Sequence, residues 1–354
     1  MKTFHIGNRK VGKDYPPLVI AEIGINHEGD MNKAITMVDD AHKVGCECVK
    51  FQSHILNDEM IPNDIIPGNT SESIWEIISR CALSEKEEIQ LKAYVESKKM
   101  IYLSTPFSRA AAQRLKRIGL VAYKIGSGEC NNYPLIKHIA SYGKPILLST
   151  GMNDIASIKP SIAILRQTGR PFALLHCTSI YPTPHEKVRL GALTDLAKNF
   201  PDALLGLSDH SLGNFTCFGA IPLGARILEK HFTSDKNWPG PDIPISIDPL
   251  ELGQLVEGAQ AIFKALGGRK NILIDEAPTI AFAYACVVSI RDIKKGDKLS
   301  FDNVWVKRPG SGEIKAVYFE KILGYSAKKD ISKNMQIKWS DITETACPNE
   351  EKTV

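Results

Sequence analysis

Two lysines stand inside otherwise apolar runs, Lys50 in CysValLysPheGln (48–52) and Lys124 in AlaTyrLysIleGlySerGlyGlu (122–129). An ammonium buried in this way needs an anionic partner, because an unpaired buried charge is costly. Phosphate is one such partner, with Ser and Thr hydroxyls completing the cradle. An imine-forming lysine of the aldolase type is the competing chemistry. Polar groups recur at the ends of eight β-rich runs: Glu22, Asn26 and His27; Lys50 and Gln52; Ser104 and Thr105; Lys124, Ser127 and Glu129; Ser149 and Thr150; His176, Thr178, Ser179 and Tyr181; Ser208, Asp209 and His210; Lys230 and His231. Any one of these has an ordinary explanation in loop hydrogen bonding, but polar groups at all eight run ends call for a pocket. His210 and His231 end successive runs and could share a divalent cation, with Glu22, Glu129, Asp242, water or substrate completing the shell.

The runs that must carry these groups cover residues 18–24, 48–52, 101–107, 122–129, 145–151, 172–179, 204–211 and 225–232. Several are apolar on successive residues, as expected where helices cover a parallel sheet. Helical patterns fall between them, at Asn32–Val44, Ser84–Lys98, Ser108–Ile118, Tyr133–Ser141, Asp154–Gln167, Lys187–Asn199, Phe215–Leu223 and Leu250–Leu266. Ser84 followed by Glu87 predicts a capping box. Eight strand–helix alternations predict an α/β fold of the (β/α)8 TIM-barrel type, with catalytic groups at the carboxyl ends of the strands; an open doubly wound sheet is the weaker alternative. Residues 53–83 interrupt the short-loop rhythm with Pro62, Pro67, Gly68, Asn69 and a helical segment near Ser73–Arg80, which predicts a functional loop over the barrel mouth. After GlyGlyArgLys (267–270) the texture changes to short β-rich pieces with tight Gly turns. The expected division is a barrel with an N-terminal extension over 1–270, a linker over 271–284, a small domain over 285–345 and a polar tail over 346–354.

Composition narrows the class. The 354 residues carry a net charge of only +4, without the basic-aromatic interleaving of a nucleic-acid binder. No run reaches the roughly 20 apolar residues of a membrane helix, and residues 1–17 lack the apolar segment of a signal peptide. Eight scattered cysteines without a CxxC pair read as reduced thiols, so the expected compartment is cytoplasmic, with neither nucleic acid nor membrane as partner.

The motifs AlaGluIleGlyIleAsnHis (21–27), ValLysPheGln (49–52), ProGlyAsn (67–69), SerThrProPheSer (104–108), TyrLysIleGlySerGlyGlu (123–129), LeuSerThrGlyMet (148–152), LeuHisCysThr (175–178), TyrProThrPro (181–184), GlyLeuSerAspHisSer (206–211), GluLysHisPhe (229–232) and GlyProAsp (240–242) resemble the N-acetylneuraminate (sialic acid) synthase family. ValLysArgProGly (306–310) is similar to that family's C-terminal antifreeze-like domain, and the likeness runs over residues 17–342. It implies condensation of phosphoenolpyruvate with N-acetylmannosamine and water to give N-acetylneuraminate and phosphate. By the same resemblance, Lys50, Thr105, Lys124, Ser127, Ser149 and Ser208 bind phosphoenolpyruvate, and Ser179 stands where some relatives have Asn. His210 and His231 hold a divalent metal, Mn2+ first or Mg2+, and no organic cofactor is implied. Glu22, Gln52, Asn69, Glu129, Tyr181 and Asp242 serve the sugar or the chemistry, Glu129 being assigned the water-side proton transfer. Phe282 and Arg308 complete the substrate-binding set, Arg308 reaching the other subunit's barrel in a domain-swapped homodimer. The segment IleProIleSerIle (243–247) departs from the usual polar version, which keeps a legionaminate or pseudaminate synthase acting on a 2,4-diacetamido-2,4,6-trideoxy sugar as the alternative. A sugar-binding module without catalysis would need no paired histidines.

Overall fold

The strand–helix repeats fold into one parallel eight-stranded sheet in the computed structural model, which describes residues 3–68 and 70–344. A short antiparallel hairpin, β1 (Phe4–Ile6) and β2 (Arg9–Val11), precedes it. The sheet strands are β3 (Leu18–Gly24), β4 (Cys48–Ser53), β5 (Ile101–Pro106), β6 (Tyr123–Ile125), β7 (Ile146–Ser149), β8 (Phe172–Cys177), β9 (Leu204–Asp209) and β10 (Ala225–His231). The order β5-β4-β3-β10-β9-β8-β7-β6 sets each strand beside its chain neighbours and returns β10 to β3, while β5 and β6 adjoin at the seam. This is the α/β barrel that the alternation predicts.

Alternation of side chains along each strand separates filling from chemistry. Leu18 and Ile20, Cys48, Leu103, Ala122, Leu147, Ala173 and Leu175, Leu204 and Ile227 fill the lower interior, joined by Phe4, Ile6 and Val11 of the hairpin. The unexpected hairpin thus stoppers the amino end of the barrel. Going up the strands in steps of two, the inward positions become Glu22, Lys50, Thr105, Lys124, Ser149, Cys177, Ser208 and Glu229. The opposite parity, including Val19, Ala21, Ile23, Val49, Phe51, Leu148 and Leu174, packs against the surrounding helices.

Helix ends follow local sequence. Ser84 caps Glu85–Ser97 in the expected box with Glu87, and Ser73 does the same with Glu76 for Ile74–Cys81. The expected helix at 187–199 is instead two, His185–Val188 and Ala192–Asn199, because Arg189 takes a left-handed backbone at φ 56°. The expected fourth strand stops at Ile125; Ser127–Glu129, with glycines at 126 and 128, form a 3-10 turn.

The chain divides after Gly267. The second unit opens with a 3-10 turn, Ile274–Glu276, and a helix, Ala277–Ala283, within the stretch expected as linker. Its β11 (Cys286–Ser289) and β12 (Val304–Lys307) pair antiparallel, β13 (Ser326–Ala327) pairs with β14 (Ile342–Thr343), and Val287, Ile293, Leu299, Ile314, Ile322 and Ile337 form a core of its own. Residues 335–338 form no strand, but an isolated bridge joins Gln336 to Val288. The seven described cysteines are buried and form no disulfide, and no described helix is long and apolar enough to cross a membrane.

One buried ion pair sits on the outward face of the barrel. Lys230 and Asp209, register partners on β10 and β9, lie 2.6 Å apart, and Asp209 also accepts from Thr216 and Ser211. Removing one member of such a pair leaves a buried charge uncompensated. Lys230→Ala is therefore expected to cost about 3–5 kcal/mol in the barrel's urea unfolding transition. The double variant Lys230→Met/Asp209→Leu should recover part of that loss.

Candidate active site

The inward groups at the carboxyl ends of the strands converge on four buried charges. Lys50 Nζ lies 2.7 Å from Glu22 Oε2 and 3.8 Å from Glu229 Oε2, and donates to Thr105 Oγ1 at 3.0 Å. Lys124 Nζ lies 3.4 Å from Glu229 Oε1 and donates to Ser149 Oγ at 2.7 Å. Ser208 Oγ donates to Glu229 Oε1 at 2.8 Å. Burial works against the Lys50 ammonium, but Glu22 and Glu229 outweigh it and hold its pKa above the ordinary value. Lys124, with one carboxylate beside it and Lys50 nearby, is depressed, chiefly by burial. Burial would raise Glu229, yet Lys124 and Lys50 hold it below the usual carboxylate range. Glu22 goes the other way: burial lifts it to about 7 against the pull of Lys50. A carboxyl poised near neutrality can exchange a proton at working pH.

Above this cluster lies a cavity of about 320 Å³ whose lining includes Lys50, Thr105, Lys124, Ser127, Ser149, Ser179 and Ser208. Glycine at 151 leaves room for two of the lining hydroxyls. A Cβ there would press on the Ser179 and Ser127 hydroxyls, and the Gly151 N–H donates to Ser127 Oγ at 3.0 Å. Two ammoniums and a ring of hydroxyls make an anion cradle. A second cavity, of about 450 Å³, adjoins it and shares Gln52, Phe107, Tyr181 and His231. Its other walls are Ile25, Ile74, Ile77, Ile78, His54, Glu59 and Asp242. Ile74, Ile77 and Ile78 come from the long segment after β4, whose helix packs with Ile25 in a separate apolar cluster. A larger cleft of about 620 Å³, lined by Arg9, Glu47 and Lys99, lies at the opposite, amino end of the strands, away from the buried charges.

His210 and His231 meet at the junction, with ring centroids 5.4 Å apart and Tyr181 stacked on His210 at 4.2 Å. Among the described residues no cluster of three or more His, Cys, Asp or Glu has metal-site geometry. The two imidazoles nevertheless fit a divalent ion that takes its remaining ligands from substrate or water. His210 Nδ1 is engaged by the Thr178 carbonyl at 2.9 Å, which leaves Nε2 for a ligand. His231 Nδ1 is buried without a hydrogen-bond partner among the described residues, 3.7 Å from Asp242 Oδ2. Burial raises Asp242 to about 6.

The remaining expected residues divide by strand parity and by unit. Glu129 lies on the 3-10 turn, hydrogen-bonded by Asn132, and lines neither cavity. His176, Asp209 and Lys230 are outward: His176 meets the Val188 carbonyl, and the other two pair with each other. Asn26 braces the strand end by donating to Phe232 O and Ser246 Oγ. Phe282, exposed on helix Ala277–Ala283, and Arg308, exposed before Pro309, belong to the second unit. Asn69 lies outside the described residues. Sequence reasoning missed Glu229, although an acidic residue two positions before His231 on an apolar strand carries the signal of an inward charge. Cys177 and His54, which also line these cavities, were missed for lack of any such pattern.

A TIM-type barrel with a two-lysine anion cradle, a histidine pair at its mouth and a small appended C-terminal unit defines a class of enzyme that handles a small anionic substrate. The chain belongs to the NeuB family, whose model matches residues 37–271, and residues 284–343 match the SAF domain. It is 39% identical to an uncharacterized protein of Methanocaldococcus jannaschii over 97% of this chain and 99% of that one. It is 36% identical to the N,N'-diacetyllegionaminic acid synthase of Campylobacter jejuni over 91% of this chain and 98% of that one. Among solved structures, the N-acetylneuraminic acid (sialic acid) synthetase of Leptospira borgpetersenii superimposes with a TM-score of 0.73 at 32% identity, covering 79% of this chain and 95% of that one.

The cradle makes two predictions of opposite sign, with sulfate as a probe that does not titrate near neutrality. Lys124→Met should weaken sulfate binding about ten- to a hundredfold, the value of a charged hydrogen bond. Glu229→Gln leaves Lys124 without a carboxylate at its side and Lys50 with Glu22 alone, and should tighten sulfate binding while lowering the melting temperature. Titration calorimetry reads both; equal affinities in all three proteins would remove the anion role from these residues.

Proposed function

We propose that this chain condenses phosphoenolpyruvate with an N-acylated amino sugar and water, releasing phosphate and a nine-carbon sugar acid, and that its preferred acceptor is a 2,4-diacetamido-2,4,6-trideoxy sugar. The observation that carries the reading is the junction of a charged cradle with a cavity walled by Ile25, Ile74, Ile77 and Ile78. The cradle suits the phosphate and carboxylate of phosphoenolpyruvate. The isoleucine wall suits a sugar whose hydroxymethyl is a methyl and which bears a second acetamido group, both more apolar than their counterparts in N-acetylmannosamine. Likeness to the N,N'-diacetyllegionaminic acid synthase adds support, so the second sugar of the sequence reading moves ahead of the first.

C3 of phosphoenolpyruvate forms the new carbon–carbon bond to the aldehyde carbon of the open-chain sugar, whose oxygen takes up a proton. Water adds at C2, and the C2–O bond breaks to release inorganic phosphate. Lys50 and Lys124 offset the anionic charges of phosphoenolpyruvate, and no covalent lysine intermediate is required. Glu22, lining the cavity and raised to about 7, is assigned the proton transfer in preference to Glu129, which lines neither cavity. A divalent cation, manganese or magnesium, held by His210 and His231, would polarise the aldehyde as a Lewis acid. The homodimer implied by the sequence resemblance, with Arg308 of the partner subunit completing the sugar end, is part of the proposal.

Two measurements test it. Catalytic efficiencies with the diacetamido sugar and with N-acetylmannosamine, at saturating phosphoenolpyruvate and after restoring manganese to chelated enzyme, should differ by roughly tenfold or more in favour of the former. A preference for N-acetylmannosamine reverses the sugar assignment, and unchanged turnover in verified metal-free enzyme removes the cation. Subunit exchange between Arg308→Ala and Lys124→Ala proteins should restore activity to one site of the mixed dimer. Verified mixed dimers as inactive as their parents would exclude the cross-subunit arginine.

A further inference from the structure

One buried group lining the second cavity has no part in the reaction chemistry above. His54, one residue past β4 and 3% exposed, stacks on Phe107 with centroids 4.7 Å apart. Its Nδ1 lies 2.8 Å from Glu59 Oε2 and its Nε2 lies 2.9 Å from Gln52 Oε1. Gln52 in turn donates from Nε2 to Glu22 Oε1 at 3.3 Å, while Glu22 Oε2 faces the Lys50 ammonium. The direction of each hydrogen bond in this chain is constrained. Above the value of about 7 to which burial lifts it, Glu22 is a carboxylate and accepts, so the Gln52 amide turns its NH2 toward Glu22 and its oxygen toward His54. An amide oxygen also only accepts, so His54 Nε2 donates to it. Glu59 anchors the other edge of the ring at Nδ1.

We propose that His54 is a positioning residue: anchored by Glu59 and stacked on Phe107, it donates from Nε2 to the Gln52 amide oxygen, fixes that amide in the one orientation that presents its NH2 to the cleft, and so sets acceptance of the sugar. The inference rests on the reading that Gln52 faces the acceptor. Glu59 comes from helix Leu56–Glu59, the short turn that follows the ring in the chain.

The test has a substrate-free arm and a kinetic arm. Nitrogen-15 NMR of histidine-labelled protein should find a proton on His54 Nε2, the nitrogen that faces the Gln52 oxygen. The assignment is made by loss of the signal in His54→Phe, which retains the stack on Phe107. In steady-state kinetics, His54→Phe and Glu59→Gln should each raise the sugar KM about tenfold while the phosphoenolpyruvate KM stays within about twofold, the worth of one hydrogen bond. His54→Gln, which keeps one donor toward Gln52, should recover part of the sugar KM. A His54 ring without a proton on Nε2 overturns the proposal, as does an equal rise in both KM values. If His54→Phe does not fold, His54→Gln makes the assignment and Glu59→Gln carries the kinetic readout. If no amino sugar is condensed at all, the function proposed above fails, and the NMR result alone decides the state of His54.

Discussion

The interior of the barrel is organised around four charges removed from water: Lys50 and Lys124 against Glu22 and Glu229. Isolated, each would cost several kcal/mol to bury. Together they compensate one another, but unevenly: Lys50 has two carboxylates within reach, whereas Lys124 has only Glu229. The unevenness leaves Lys124, with Ser149 beside it, as the part of the cluster best able to accept an outside anion. The raised value of Glu22 belongs to the same balance, because a carboxyl that can be neutralised near pH 7 lets the cradle admit further negative charge.

The strands divide their two faces between holding this cluster and holding each other. On β9 and β10 the inward residues Ser208, Glu229 and His231 belong to the cavity, while the intervening Asp209 and Lys230 form a buried pair on the helix side. That pair ties the two strands directly behind the histidines. The hairpin at the amino end closes the barrel from below with Phe4, Ile6 and Val11, so access to the charges is from the carboxyl ends.

The long segment after β4 supplies what the strands cannot. Its helix, capped by Ser73 and Glu76, brings isoleucines against Ile25 and turns a polar mouth into two cavities of different character. Gln52, Tyr181 and His231 stand where the two meet, between the charged cavity and the one walled in part by isoleucines. A condensation that joins an anionic enol ester to an amino sugar requires that adjacency.

Much of this was legible in the residues alone. Eight alternations of apolar run and helical pattern point to a barrel ahead of an open doubly wound sheet, and the pairing of β10 with β3 decided between the two. Lysines within apolar runs called for partners, because an unpaired buried ammonium is costly, but left phosphate binding and imine chemistry both open; the structure supplied Glu22 and Glu229 beside Lys50 and Lys124, and Asp209 beside Lys230. The tertiary structure decided which polar strand-end residues face inward, since a side-chain period of two sends neighbours such as Asp209 and Ser208 to opposite faces. It separated Glu129, on its 3-10 turn, from the cavity lining, and it showed Glu229 as the shared partner of both lysines. The bonding of His54 between Glu59 and Gln52 was likewise beyond the sequence, because hydrogen-bond polarity depends on which acceptor each ring nitrogen meets, and no spacing rule records that.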